Sequence, residues 1–124
     1  MISIIEEAVR NYLDEQIDEP VLMQEPEINP NPALPNTERM SFVVVEKTGG
    51  SITQHMIKRA TIAVQSYAGT AYDASLLNEL VKTVMLNMIA LNDICKVELI
   101  SDYNFPKTSI RQPRYQAVFE ITYY

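Results

Sequence analysis

Apolar and polar residues along this chain follow two different periods, and the change between them falls at Gly69-Thr70. Ahead of it, Lys58 to Tyr67 alternates about every second residue. That spacing predicts a strand with Ala60, Ile62 and Val64 on one face and Thr61, Gln65 and Tyr67 on the other. Beyond it, Ala74, Leu77, Val81, Val84, Met88 and Leu91 recur three and four residues apart, the period of an amphipathic helix. This helix is expected over residues 71–91 with Thr70 as its N-cap, and at 1.5 Å per residue it reaches about 30 Å. Its apolar arc is wide. Leu77, Leu80, Val81, Val84, Met88 and Leu91 form the main stripe, and Leu76, Met85, Leu86 and Ile89 broaden it. One sheet face cannot easily cover all of them, so the surplus belongs to another helix, to another copy of the chain, or to both.

The same reading places the remaining elements. Residues 4–17 form a first helix: Ser3 and Glu6 have capping-box spacing, and Ile2, Ile5, Val9, Tyr12, Leu13 and Ile17 make its buried stripe. Val21-Leu22-Met23 is a short edge strand. Residues 24–38 carry four prolines among asparagines, and proline's missing N–H and fixed φ exclude a helix or a central strand there. Met40 to Thr48 is a strand, apolar on both faces through Phe42-Val43-Val44-Val45 and therefore central. Gly49-Gly50-Ser51 marks a hairpin tip, with a returning strand from about Met56 to Ala68. A strand from Ile94 to Tyr103 sets Cys95, Val97 and Leu99 on one face. A loop over 104–113 leads to a last strand with Tyr115, Ala117, Phe119, Ile121 and Tyr123 on one face. Hairpin-type links imply an α+β domain spanning 1–124: an antiparallel sheet of four to five strands, with the long helix and the N-terminal helix on one face and an irregular proline-rich loop at 24–38.

Composition narrows the function. A chain of 124 residues has enough surface to bury for one core without staples. Its single cysteine, Cys95, allows no intrachain disulfide, and its apolar neighbours predict a buried thiol. The net charge of −6 is uneven: residues 1–19 carry six acids against Arg10. No basic stripe suited to gripping phosphates is present. No apolar run approaches the ~20 residues of a membrane span, and the acidic, helical N-terminus does not read as a signal peptide.

Candidate chemistry is sparse. His55 is the only histidine. It has neither the cysteine partners of a zinc site nor a nucleophile elbow beside it, and reads as a polar turn residue. The acidic pairs Glu6/Glu7, Asp14/Glu15 and Asp18/Glu19 diverge by about 100° per residue on a helix and read as a solvated face. Gly49-Gly50-Ser51 lacks phosphate-loop spacing. Lys58 with Arg59, and Lys107 with Arg111 and Arg114, are small basic clusters suited to acidic patches on a neighbouring copy, which the N-terminal acids supply. No catalytic, cofactor-binding or metal-ligating set stands out.

The segments Phe42-Val43-Val44-Val45-Glu46-Lys47-Thr48-Gly49-Gly50 and Ala60-Thr61-Ile62-Ala63-Val64-Gln65-Ser66-Tyr67-Ala68, the long helix from Ala71, and Pro113-Arg114-Tyr115 opening the last strand together resemble the tail-terminator (tail completion) proteins of long-tailed bacteriophages. The resemblance covers residues 40–124. The chain departs from the family in having neither an aspartate near Ala60 nor a tryptophan near Tyr67. The resemblance implies a structural virion protein, not an enzyme and without a cofactor. It would form a ring, commonly a hexamer, on the tail tube, ending tube growth and presenting a surface to the head–tail connector protein while DNA passes through without specific binding. Assembly would occur in the host cytoplasm and the product would sit in the virion tail or neck. Lys58, Arg59, Lys107, Arg111, Arg114, Leu76 and Leu86 are then the expected interface residues. Asp14, Glu15, Asp18 and Glu19 are the expected channel-facing acids. A head–tail joining or minor capsid protein is the second reading, and a small enzyme or ligand-binding domain the third.

Overall fold

A computed structural model describes residues 4–24, 41–52, 57–106, 108 and 111–124. Helix α1 (Ile4–Gln16) is followed by strand β1 (Val21–Leu22), strand β2 (Phe42–Ile52), strand β3 (Lys58–Tyr67), helix α2 (Ala71–Leu86), strand β4 (Ile94–Asn104) and strand β5 (Arg114–Tyr123). A single 3-10 turn, Asn87–Ala90, extends α2. The five strands form one sheet in the order β1-β2-β3-β5-β4.

Pairing is antiparallel between β2 and β3, β3 and β5, and β4 and β5. Only β1 departs from the antiparallel expectation. It lies parallel to β2, with Val21 opposite Val43, because it is reached from α1 and not through a hairpin. The fold class is α+β, with a mixed and mostly antiparallel sheet.

The alternating residues of the central strands build the core. Val43 and Val45 from β2, Ala60, Ile62 and Val64 from β3, and Ala117, Phe119 and Ile121 from β5 share the helix-facing side. Against them pack Ile5, Val9 and Leu13 of α1 with Ile17 just beyond it, and Leu77, Val81, Val84 and Met85 of α2 with Met88 after it. Both helices therefore lie on the same sheet face. Tyr12 ties them together by donating its hydroxyl to the Val84 carbonyl at 3.0 Å. On the opposite face, Phe42 stacks on Tyr67 with ring centroids 4.4 Å apart. Phe42 through Val45 are all buried, as expected of a strand covered on both sides.

The junction after β3 has the expected cap. Thr70 adopts an extended backbone, and its Oγ1 accepts from the Asp73 N–H at 3.1 Å, meeting one of the donors a helix start leaves free.

Several expectations need correction. Gly49 and Gly50 are not a hairpin tip: β2 runs on through Ile52, with a bulge between Lys47 and Gly49. Gly50 instead permits a close approach, since a Cβ there would lie 2.9 Å from Lys47 Cε and 3.2 Å from the Arg59 carbonyl. Residues 53–56, His55 among them, lie outside the described residues, as do Lys107, Ile2, Ser3 and nearly all of the proline-rich loop. Cys95 is exposed, not buried. A register shift between Ile94 and Lys96 makes it the extra residue of a bulge, and Ile94 and Val97 pack against the core instead. On α2 the buried line runs Ala74, Leu77, Asn78, Val81, Val84, Met85. Leu80 and Leu91, expected in the main stripe, are exposed, and Met85 takes a core position.

Candidate functional site

Strand β3 separates two chemically different ends of the sheet. At one end Lys58 pairs with Ile52 and Tyr123; at the other Tyr67 pairs with Phe42 and Arg114. These ends are about 30 Å apart at the usual rise of a strand.

The Lys58 end is cationic. An open cleft of about 530 Å³ is lined by Lys47, Gly50, Ile52, Lys58, Arg59 and Tyr123, among others. Lys58 Nζ lies over the Tyr123 ring, 5.9 Å from its centroid. Neither Lys47, Lys58 nor Arg59 forms an ion pair among the described residues. Glu6 reaches this region through its Oε2, which accepts from the Lys47 backbone N–H at 3.3 Å. Alternation along β3 sends Lys58 and Arg59 to opposite faces, so the strand end carries a cation on each side. Ile52, the cross-strand partner of Lys58, is 62% exposed.

The Tyr67 end, on the helix layer, is acidic and apolar. A groove of about 300 Å³ runs between the segment after α1 and the first half of α2, lined by Glu19, Ser41, Asp73, Leu76, Leu77 and Leu80. Leu76 and Leu80 are 50% and 44% exposed along its floor. One helical turn separates them, so they share a face. Glu19 is half-buried and Asp73 exposed. Neither makes an ion pair among the described residues.

The helix-free face carries a bonded polar row. Gln65 Nε2 donates to Gln116 Oε1 at 2.8 Å, and Gln116 Nε2 donates to the Tyr103 hydroxyl. Tyr67 donates to Gln65 Oε1 at 3.4 Å. Arg114 donates from Nη1 to the Tyr67 hydroxyl at 3.1 Å and from Nε to the Phe105 carbonyl at 2.7 Å, with its guanidinium 4.4 Å from the Phe105 ring centroid. Buried Gln112 donates to the carbonyls of Ala68 and Pro113, at 2.8 and 3.0 Å, next to Arg111, whose φ of 53° is left-handed. Every contact in this row is used to hold strands and loop together.

The expected interface residues therefore divide. Lys58 and Arg59 lie together at one end, while Arg111 and Arg114 lie at the other. Arg114 is half-buried in contacts within the chain. Leu76 and Leu86 are both exposed but ten residues apart on α2, and only Leu76 lines the groove. The expected channel acids are not equivalent. Asp14, Glu15 and Asp18 are exposed on or just beyond α1, with Arg10 3.8 Å from Asp14, whereas Glu19 turns into the groove. Sequence reasoning missed Asp73, Leu80 and Ser41 as groove residues. Asp73 was legible only as a helix-start acid, and Leu80 was read as core. It also missed the Gln65–Gln116 pair, since glutamines in a strand carry no periodic signal of being partnered.

Among the described residues, no group of three or more His, Cys, Asp or Glu is placed to hold a metal ion, and no helix is long and apolar enough to cross a membrane. A comparison with protein-family models finds no match, and neither does a comparison with curated proteins.

Proposed function

We propose that this chain is a structural subunit that forms a ring, in the manner of the phage tail terminators it resembles in sequence. The ring, a hexamer by that resemblance, caps the tail tube protein, ends its polymerisation and offers its far side to the head–tail connector protein. Its setting is the host cytoplasm during assembly and the virion tail or neck afterwards.

The observation that carries this reading is the outer surface of α2. Leu76, Leu80 and Leu86 remain exposed although both helices already lie on the sheet. Exposed apolar surface of this kind is a common mark of association. A subunit that acts by contact needs such surface, and the polar row on the other sheet face is internally bonded. The exposed acids Asp14, Glu15 and Asp18 are proposed to face the channel, where like charge repels DNA and lets it pass without holding it.

Electron microscopy of tails assembled with and without the protein tests the reading. Overlong, uncapped tubes are expected in its absence. Tubes of normal length that fail to join heads would replace termination with head–tail joining, and normal joined tails would end both. Neutralising Asp14, Glu15 and Asp18 is expected to leave capping intact and slow DNA passage.

A further inference from the structure

The cationic end and the acidic groove have matching character but cannot meet within one chain. The Ile52–Lys58 end presents an exposed aliphatic side chain with a cation on either face of the sheet. The groove presents an aliphatic floor, Leu76 and Leu80, with carboxylates at its rim, Glu19 and Asp73. Asp73 opens α2 just after Tyr67, the far end of β3 from Lys58. The separation of about 30 Å exceeds the reach of any side chain.

We infer that the groove is occupied by the β2–β3 end of a second copy: Ile52 of one copy seats on Leu76 and Leu80 of the next, with Lys58 and Arg59 against Glu19 and Asp73. This inference rests on the ring reading and deepens it by assigning the contact between neighbours. The two surfaces lie on different parts of the molecule, so the contact is heterologous, head to tail. Each copy keeps one cationic end and one groove free until the array closes. Repetition of one such contact gives a ring when its rotation closes. Charge complementarity fixes the direction, because two cationic ends repel and two acidic grooves repel. Part of the attraction lies at the rim, so association weakens as salt rises.

The test uses two full-length variants. One carries Lys58→Glu with Arg59→Glu, the other Glu19→Lys with Asp73→Lys. Circular dichroism and urea unfolding establish that each is folded. In sedimentation velocity each variant alone is expected to lose association at least about tenfold, the equivalent of about 1.4 kcal/mol. An equimolar mixture is expected to recover it: the reversed end of one variant fits the reversed groove of the other, and the unaltered groove of the first fits the unaltered end of the second. This cross-rescue is not produced by general damage.

As a second measurement that does not depend on charge, Ile52→Cys with Leu80→Cys on a Cys95→Ser background is oxidised. A ladder of disulfide-linked oligomers is expected, lost on reduction. Variants that assemble like wild type, or a mixture that stays apart together with a cysteine pair that gives only monomer, overturn the inference. If wild-type rings are still seen on tubes in that case, the ring reading stands and only the contact is wrong. If the wild type neither associates nor caps tubes, both fall.

Discussion

Tyr67 and Arg114 face each other across the β3–β5 ladder, and the arginine donates to the tyrosine hydroxyl at 3.1 Å. The same guanidinium reaches the Phe105 carbonyl and lies over the Phe105 ring. One side chain thus fastens the loop after β4 to the middle of the sheet, a task that needs a planar fork.

Replacing Arg114 with lysine keeps the charge but loses the fork and the stacking. The expected cost is about 1–2 kcal/mol of unfolding free energy, and Tyr67→Phe is expected to cost about 1 kcal/mol. Since both changes break one hydrogen bond, the double variant should be less destabilised than the two single effects added together. Urea denaturation of the four proteins measures that coupling, and strict additivity would show that the bond contributes nothing.

Two apolar truncations separate folding from association. Phe119 is fully buried in the core, so Phe119→Ala is expected to cost about 3–5 kcal/mol through lost transfer energy and a residual cavity. Leu86 is 43% exposed, and Leu86→Ala is expected to change monomer stability by less than about 0.5 kcal/mol. If Leu86 contributes to association, the same variant weakens self-association while its denaturation midpoint stays put. A large loss of monomer stability in Leu86→Ala would instead make it a core residue.

The alkaline limb of stability has a defined sign. Burial raises the phenols of Tyr12 and Tyr123 above their ordinary value of 10.0. Lys82 is raised above 10.5 by its hydrogen bonds to Asp102 and then Glu79, each 2.6 Å from Nζ. A group whose folded pKa is raised binds its proton more tightly when folded. Its stabilisation is complete below the unfolded value and is lost as pH climbs through the folded one. Melting temperature is therefore expected to fall from about pH 10 upward on account of these groups, and Tyr12→Phe should make that fall shallower while lowering stability at pH 7 through the lost bond to Val84. Thermal melts from pH 7 to 11 check both. A fall of unchanged steepness in Tyr12→Phe would remove Tyr12 from the account.

The fold was legible in the sequence wherever one face of an element is buried. The alternation of Ala60, Ile62 and Val64 located both faces of β3, and Thr70 located the start of α2, because period and capping are local properties. Errors arose where a neighbour decides. Cys95 has the apolar surroundings of a core residue, but a bulge set by pairing with β5 turns it outward. Gly50 has the composition of a turn, yet β2 continues through it, and its missing side chain leaves room for the nearby Arg59 carbonyl. The groove was illegible for the same reason: Glu19 and Leu80 are 61 positions apart, and nothing in either segment announces the other.

Strand β4 forms one edge of the sheet over eleven residues, a length that ordinarily invites a foreign strand. Its two register shifts, at Cys95 and Ile100, break the even spacing of backbone groups, and Lys96 and Glu98 stand charged between them. Such an edge is a poor template for strand addition. The bulges and charges of β4 thereby guard the sheet against amyloid-like stacking at that edge.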